Sequence, residues 1–158
     1  MLQKVLYKIN KVYYIIKYSN VSFGKNISFR KKFKISMSNN SKLIIGNGCF
    51  FNSYCSINVK KRIVIGNNCI FGENVKIYDH NHKFNKKNIL FKEQGYSLGE
   101  IKIGDNCWIG SNVCILKGVT IGNNVVISAG CVINTNIPSD VIVKQNNTNL
   151  IEKINYKE

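Results

Sequence analysis

The chain has 158 residues, 44% of them hydrophobic, and carries 23 lysines and arginines against 8 acidic residues, a formal net charge of +15. A chain of this length supports one domain, contains no run near the roughly 20 apolar residues of a membrane span, and begins without the pattern of a secretory leader, so a cytoplasmic protein is expected. Only Arg30 and Arg62 are arginines and no nucleic-acid motif gathers the scattered lysines, so the charge points to an anionic small ligand or a membrane surface and away from nucleic acid.

The first element is a helix over about residues 2–18, within an N-terminal segment 1–20. Leu2, Val5, Leu6, Ile9, Val12, Tyr13 and Ile16 follow helical spacing, with Lys4, Lys8, Lys11 and Lys17 mostly elsewhere around the axis. Such a helix can close the open end of the adjoining fold, or lie on an anionic membrane through residues 1–18.

Beyond the helix the chain adopts a repeat of six. A loose block runs IGNGCF, FNSYCS, INVKKR from Ile45, Phe51 and Ile57. A second runs IGNNCI, FGENVK, IYDHNH from Ile65, Phe71 and Ile77, two residues out of phase with the first between Ile63 and Ile65. From Ile103 the repeat is unbroken, with Ile at 103, 109, 115, 121, 127 and 133. Six is neither the helical nor the strand period, whereas short strands that turn a corner every six residues close a triangular coil in about eighteen. Each aliphatic then points inward, and stacking buries what no single repeat could bury alone. Glycine and asparagine after each aliphatic suit corners of positive φ. The expected fold is all-β, a parallel β-solenoid spanning 21–143, with a tail over 144–158.

The fifth hexad position holds Cys49, Cys55, Cys69, Cys107 and Cys131 interchangeably with Val75, Val113, Val119 and Val125. Cysteine that alternates with valine is a small buried hydrophobe, and only Cys114 leaves the slot. Neither a disulfide framework nor a zinc site with paired short spacings is expected.

The rhythm breaks at "IYDHNHKFN", which contains the only two histidines, His80 and His82. Residues 83–100 are expected to form an extruded loop, with Ile101 resuming the coil. Imidazole beside such an opening suits proton transfer near neutral pH, since its unperturbed pKa is about 6.5. Asp79 and Glu73 are the carboxylates that could orient a ring nitrogen, but adjacent residues along a strand point apart, so neither is assigned to a histidine.

The hexads, with "IGDNCWIGSNVCILKGVTIGNNVVISAGCVI" and the later "IPSDVIV", resemble the hexapeptide-repeat acyltransferases. Within that family the chain is most similar to the maltose and galactoside acetyltransferases and to the O-acetyltransferases of bacterial capsules and lipopolysaccharides. The resemblance covers about residues 40–152 and is most specific over 101–138. It implies a left-handed parallel β-helix assembled as a homotrimer, with acetyl-CoA as acyl donor in the grooves between subunits and one histidine as general base toward a carbohydrate hydroxyl.

In the sugar acetyltransferases the base closes a hexad of the form I-x-x-x-x-H, which Ile77 to His82 matches; the same register gives Asn52 the place of an asparagine near the acceptor. In capsule-type relatives the first histidine of a D-H-N-H string could serve instead, which leaves His80 open beside His82. The resemblance further implies acceptor or cofactor contacts for Trp108, and cofactor contacts for Gly110, Ala129 and Gly130. The family's GNPAK segment is replaced here by Lys144-Gln145-Asn146-Asn147-Thr148, so Lys117, Lys144 and Lys153 are the candidates for the cofactor's phosphates. N-acetylation of an amino sugar and a non-catalytic scaffold are the alternatives. The three-histidine zinc centre of the related carbonic anhydrases is excluded by the count of histidines.

Overall fold

The structure is a computed structural model and describes residues 11–145. Leu2, Lys4, Val5, Leu6, Lys8 and Ile9 of the expected helix, and Lys153 with most of the expected tail, lie outside the described residues.

Three parallel sheets form the faces of a prism. The first face stacks β1 (Val21–Phe23), β4 (Lys42–Ile45), β7 (Arg62–Ile65), β12 (Ile101–Ile103) and β15 (Thr120–Ile121). The second stacks β2 (Ser28–Phe29), β5 (Phe50–Phe51), β8 (Ile70–Phe71), β13 (Trp108–Ile109), β16 (Val126–Ile127) and β18 (Ile142–Val143). The third stacks β3 (Lys34–Met37), β6 (Ser56–Val59), β9 (Lys76–Tyr78), β14 (Cys114–Ile115) and β17 (Val132–Ile133). The chain visits the faces in that order, so each strand of the prism pairs with a strand one coil away. The hexad aliphatics do what their period requires: Ile57, Ile77 and Ile115 share one ladder, Ile45, Ile65, Ile103 and Ile121 another.

Two kinds of corner residue make the stacking possible. The fourth hexad position takes positive φ at most corners, at Asn68 (56°), Asn74 (57°), Asn106 (54°), Asn112 (59°), Asn124 (55°) and Tyr54 (65°), and at Gly48, Gly118 and Gly130. Asparagine tolerates this left-handed conformation better than most residues, which accounts for its abundance here. Glycine at the second position has another purpose. A Cβ on Gly66 would lie 2.7 Å from Gly104 backbone, and one on Gly104 would lie 2.6 Å from the Gly122 carbonyl oxygen. Those glycines mark close approach between coils rather than turn conformation. Beside them runs a side-chain ladder, with the Asn47 amide donating to Asn67 Oδ1 (2.9 Å), Asn67 to Asp105 Oδ1 (2.7 Å) and Asp105 to Asn123 Oδ1 (2.8 Å).

The core is aromatic at its N-terminal end and aliphatic beyond. Phe29 and Phe33 stack at 4.2 Å between centroids and Phe51 and Phe71 at 4.4 Å, after which isoleucine and valine fill the column. Cys49, Cys55, Cys69, Cys107 and Cys131 are all buried. Cys49, Cys69 and Cys107 donate to the carbonyls of Gly66, Gly104 and Gly122 at 3.1 to 3.2 Å. The Cys69 thiol, between those of Cys107 and Cys49, is pushed well above its ordinary range, while its hydrogen bonds hold Cys107 and Cys49 below theirs; all five are buried, which makes the column one of packing.

Residues 11–17 are helical and lie on the first coil through Tyr14, with Lys11 Nζ donating to the Gly24 carbonyl at 2.8 Å. Tyr14 is buried, its hydroxyl donating to the Phe33 carbonyl and accepting from the Ile35 amide, each at 3.1 Å, and desolvation holds its pKa above the ordinary phenol value. The expected apolar face is corrected here: Val12, Tyr13 and Ile16 are exposed. The face that docks is chosen by the hydrogen bonds that Tyr14 completes on the unpaired edge of the first coil, a gain that hydrophobic periodicity does not register.

In denaturant melts, Phe51→Ala is expected to destabilise the fold by about 3–5 kcal/mol through the cavity it leaves. Tyr14→Phe should cost about 1–3 kcal/mol because a buried carbonyl and amide lose their partner, whereas Ile16→Ser should stay within about 0.5 kcal/mol. The reverse order of the last two would place the helix contact elsewhere.

Candidate functional site

The corner between the third and first faces is where the coil opens. Partners one coil apart are separated by 20 residues at Asn47 and Asn67 and by 18 at Asp105 and Asn123, but by 38 at Asn67 and Asp105. The surplus is an arm that leaves at Asp79 and returns at Gly99, whose amide donates to the Asp79 carbonyl at 2.8 Å. Its base is a ribbon of β10 (His80–His82) and β11 (Tyr96–Leu98), antiparallel, with His80 opposite Leu98 and His82 opposite Tyr96. The excursion therefore begins at 79 and not at 83. The hexad expected to run from Ile77 through His82 ends at Tyr78, because residues 80–82 find their ladder partners in the returning strand instead of the coil below. Ile101 resumes the coil as expected.

The same corner contains the carboxylate–histidine pair that strand geometry argued against. Asp79 Oδ1 lies 3.0 Å from His80 Nδ1. Asp79 occupies the bend between β9 and β10, where strand alternation does not apply. Its carboxylate is fully buried and also accepts the backbone amides of Lys60 (2.8 Å, Oδ1) and Lys61 (2.7 Å, Oδ2). Three donors around a buried carboxylate satisfy what desolvation would otherwise make costly. With Nδ1 engaged, Nε2 is the free nitrogen of His80, whose side chain is 15% exposed. His82 is exposed and lies against the Tyr96 ring at 4.5 Å, with His80 edge-on to the same ring at 5.3 Å. Lys60 Nζ sits 4.0 Å from the Tyr96 centroid, a cation–π contact that fastens the arm to the coil.

Tyr96, Lys60 and Lys61 were not singled out by sequence. Tyr96 gives no signal, since its partners are set by the ribbon register. The lysines do give one: the two-residue slip before Ile65 lengthens the coil below, and the added corner supplies the two amides that hold Asp79.

Lys117 is half-buried at this corner one coil further on, where a Cβ on Gly99 would come within 3.2 Å of the Lys117 carbonyl carbon. The remaining candidates lie elsewhere. Trp108 stands on the outside of the second face, 54% exposed, paired with Ile70 on one side and Val126 on the other. Asn52, Gly110, Ala129, Gly130 and Lys144 come after strands of the second face and line the corner between the second and third faces. Asn52 is half-buried and its Oδ1 accepts the Ser53 amide at 2.8 Å. Gly110 is held small by packing, since a Cβ there would meet the Ala129 amide at 2.6 Å; Gly130, at φ +78°, faces open space. One chain thus brings His80, His82 and Lys117 to one corner, and Asn52 and the small residues to another. Among the described residues no group of three or more His, Cys, Asp or Glu side chains could hold a metal ion.

Known proteins resemble this chain in sequence and fold. The profile of the family described as "Bacterial transferase hexapeptide (six repeats)" matches residues 100–135. A galactoside acetyltransferase solved in complex with coenzyme A is 31% identical, with a TM-score of 0.70, covering 93% of this chain and 72% of its own. A hexapeptide-repeat acetyltransferase of Vibrio cholerae, complexed with acetyl coenzyme A, shares the fold at 23% identity and a TM-score of 0.73, over 92% of this chain and 78% of its own. A Saccharomyces cerevisiae protein named as an acetyltransferase is 37% identical over 119 residues, 75% of this chain, and the chain spans 59% of its length. An Escherichia coli protein named as a lipopolysaccharide biosynthesis O-acetyl transferase is 24% identical over 151 residues, 91% of this chain and 77% of its own. With its six-residue rhythm, its prism of parallel sheets and these relatives, the chain belongs to the hexapeptide-repeat acyltransferase family.

Proposed function

We propose that the protein is an acetyl-CoA-dependent O-acetyltransferase whose acceptor is a sugar hydroxyl of a bacterial surface polysaccharide or its precursor, with His80 as general base. The observation that carries the reading is the buried Asp79 against His80 Nδ1. A carboxylate there fixes the ring and favours the tautomer whose Nε2 accepts a proton. In the step, Nε2 takes the hydroxyl proton as the oxygen attacks the thioester carbonyl; the C–O bond forms, the C–S bond breaks, and the proton passes to the departing thiolate. His82, lacking a carboxylate partner and lying against Tyr96, shapes the arm and the acceptor side.

Acetyl-CoA fits the residues present at the second corner. Ala129 and Gly130 are small and exposed beside Trp108, and Gly130 leaves open space where a side chain would stand. Lys144, exposed at the same corner, and Lys117 are the cations available to its phosphates. The relatives solved with coenzyme A or acetyl coenzyme A support the choice of donor.

A homotrimer reconciles the two corners. The outside of the second face carries an apolar column of Phe50, Ile70, Trp108, Val126 and Ile142, of which Ile70, Trp108 and Ile142 are 45%, 54% and 65% exposed. Three prisms packed around an axis would set the His80 corner of one subunit against the Asn52 and Trp108 side of the next.

His80→Ala should lower kcat by about 10²–10⁴-fold, while His82→Ala should lose less than about tenfold; the opposite ranking would return the base to His82. Asp79→Asn should lower kcat with little change in KM for acetyl-CoA. Co-expressed His80→Ala and Asn52→Ala chains should form mixed assemblies that regain part of the activity each lacks alone. Mixed assemblies as inactive as their parents would refute a shared site.

A further inference from the structure

We propose that the tip of the arm, residues 84–92, is a docking surface that seats on an anionic lipid bilayer. The tip exposes large apolar side chains in close succession: Phe84 (52%), Ile89 (42%), Leu90 (60%) and Phe91 (55%). Among them stand Lys83, Lys86, Lys87 and Lys92, all exposed, with Glu93 as the one acid between Lys83 and Glu93. Apolar side chains interleaved with lysines match the boundary between acyl chains and anionic headgroups, where the former enter and the latter remain at the phosphates.

The tip is also built to hold its shape. Gln94 is buried, its Oε1 accepting the Lys86 amide at 2.9 Å and its Nε2 donating to the Lys86 and Ile89 carbonyls at 3.1 and 2.8 Å. A turn of 3-10 helix spans Phe91–Glu93, and the Lys83 amide closes on the Gly95 carbonyl at 3.0 Å. A loop closed around a buried amide yet presenting its phenylalanines and leucine outward is ordered for a surface it meets. Charge selects among surfaces. Four lysines against one acid across Lys83–Glu93 draw the tip to the phosphates of anionic lipid.

The arm places this contact on the segment that begins with Asp79 and His80, so the reactive corner would face the membrane side. The docking itself requires no step of acetyl transfer.

The test uses the full chain and co-sedimentation with vesicles of phosphatidylglycerol and phosphatidylcholine, beside pure phosphatidylcholine. The variants are Leu90→Ser with Phe91→Ser, and Lys86→Glu with Lys87→Glu; both leave the N-terminal lysines in place, and thermal melts confirm the fold. The wild type should bind the anionic vesicles at least tenfold more tightly than either variant and than it binds pure phosphatidylcholine. All variants should retain wild-type turnover of a soluble sugar acceptor, so failure of the acetyl-transfer reading would be visible separately. No binding by the wild type, or equal binding by the variants, would overturn the proposal. So would a change of sedimentation velocity in the variants at constant vesicle affinity, which would make the tip a contact between subunits.

Discussion

Successive coils of this protein sit one strand spacing apart, about 4.8 Å, and everything else is arranged so that nothing prevents that approach. Glycine at the second hexad position removes the Cβ that would strike the coil above, and left-handed asparagine or glycine at the fourth turns the chain without strain. The inward aliphatics and thiols then stack on their own kind. Because each coil buries its apolar edge only against its neighbours, the end coils need separate cover. The Tyr14 hydroxyl, bonded to the Phe33 carbonyl and the Ile35 amide, provides it at the N-terminal end.

The corner at His80 exists because the regularity of the stack is broken twice at one place. The lengthened coil adds a corner at Lys60 and Lys61 whose amides point at the coil above. There the chain departs into the arm, and Asp79 turns inward to meet those amides. The carboxylate could not be buried without them, and without the carboxylate the His80 ring would have no fixed partner. Support thus runs from an irregularity in the repeat, through two backbone donors, to one imidazole nitrogen.

The surfaces divide in the same way. The outside of the second face is an exposed apolar column, whereas the arm carries lysines and apolar tips on a frame closed by Gln94. Trp108 belongs to the first and Tyr96 to the second. The tryptophan stands exposed on a rigid ladder; the tyrosine lies against both histidine rings.

The sequence alone determined the architecture, because a six-residue period with inward apolar residues has one way to bury them, and the hexads on either side of the arm repeat that instruction locally. It also located the opening, since the rhythm stops where His80 and His82 appear, and it assigned the cysteines to packing through their exchange with valine. Only the tertiary structure decided which histidine has a carboxylate partner. That pairing depends on amides from the preceding coil and on an antiparallel ribbon closed by residues 96–98, contacts between segments with no shared pattern. The docking face of the N-terminal helix was likewise settled by hydrogen bonds to an unpaired coil edge and not by periodicity, which had favoured Val12, Tyr13 and Ile16 over Tyr14.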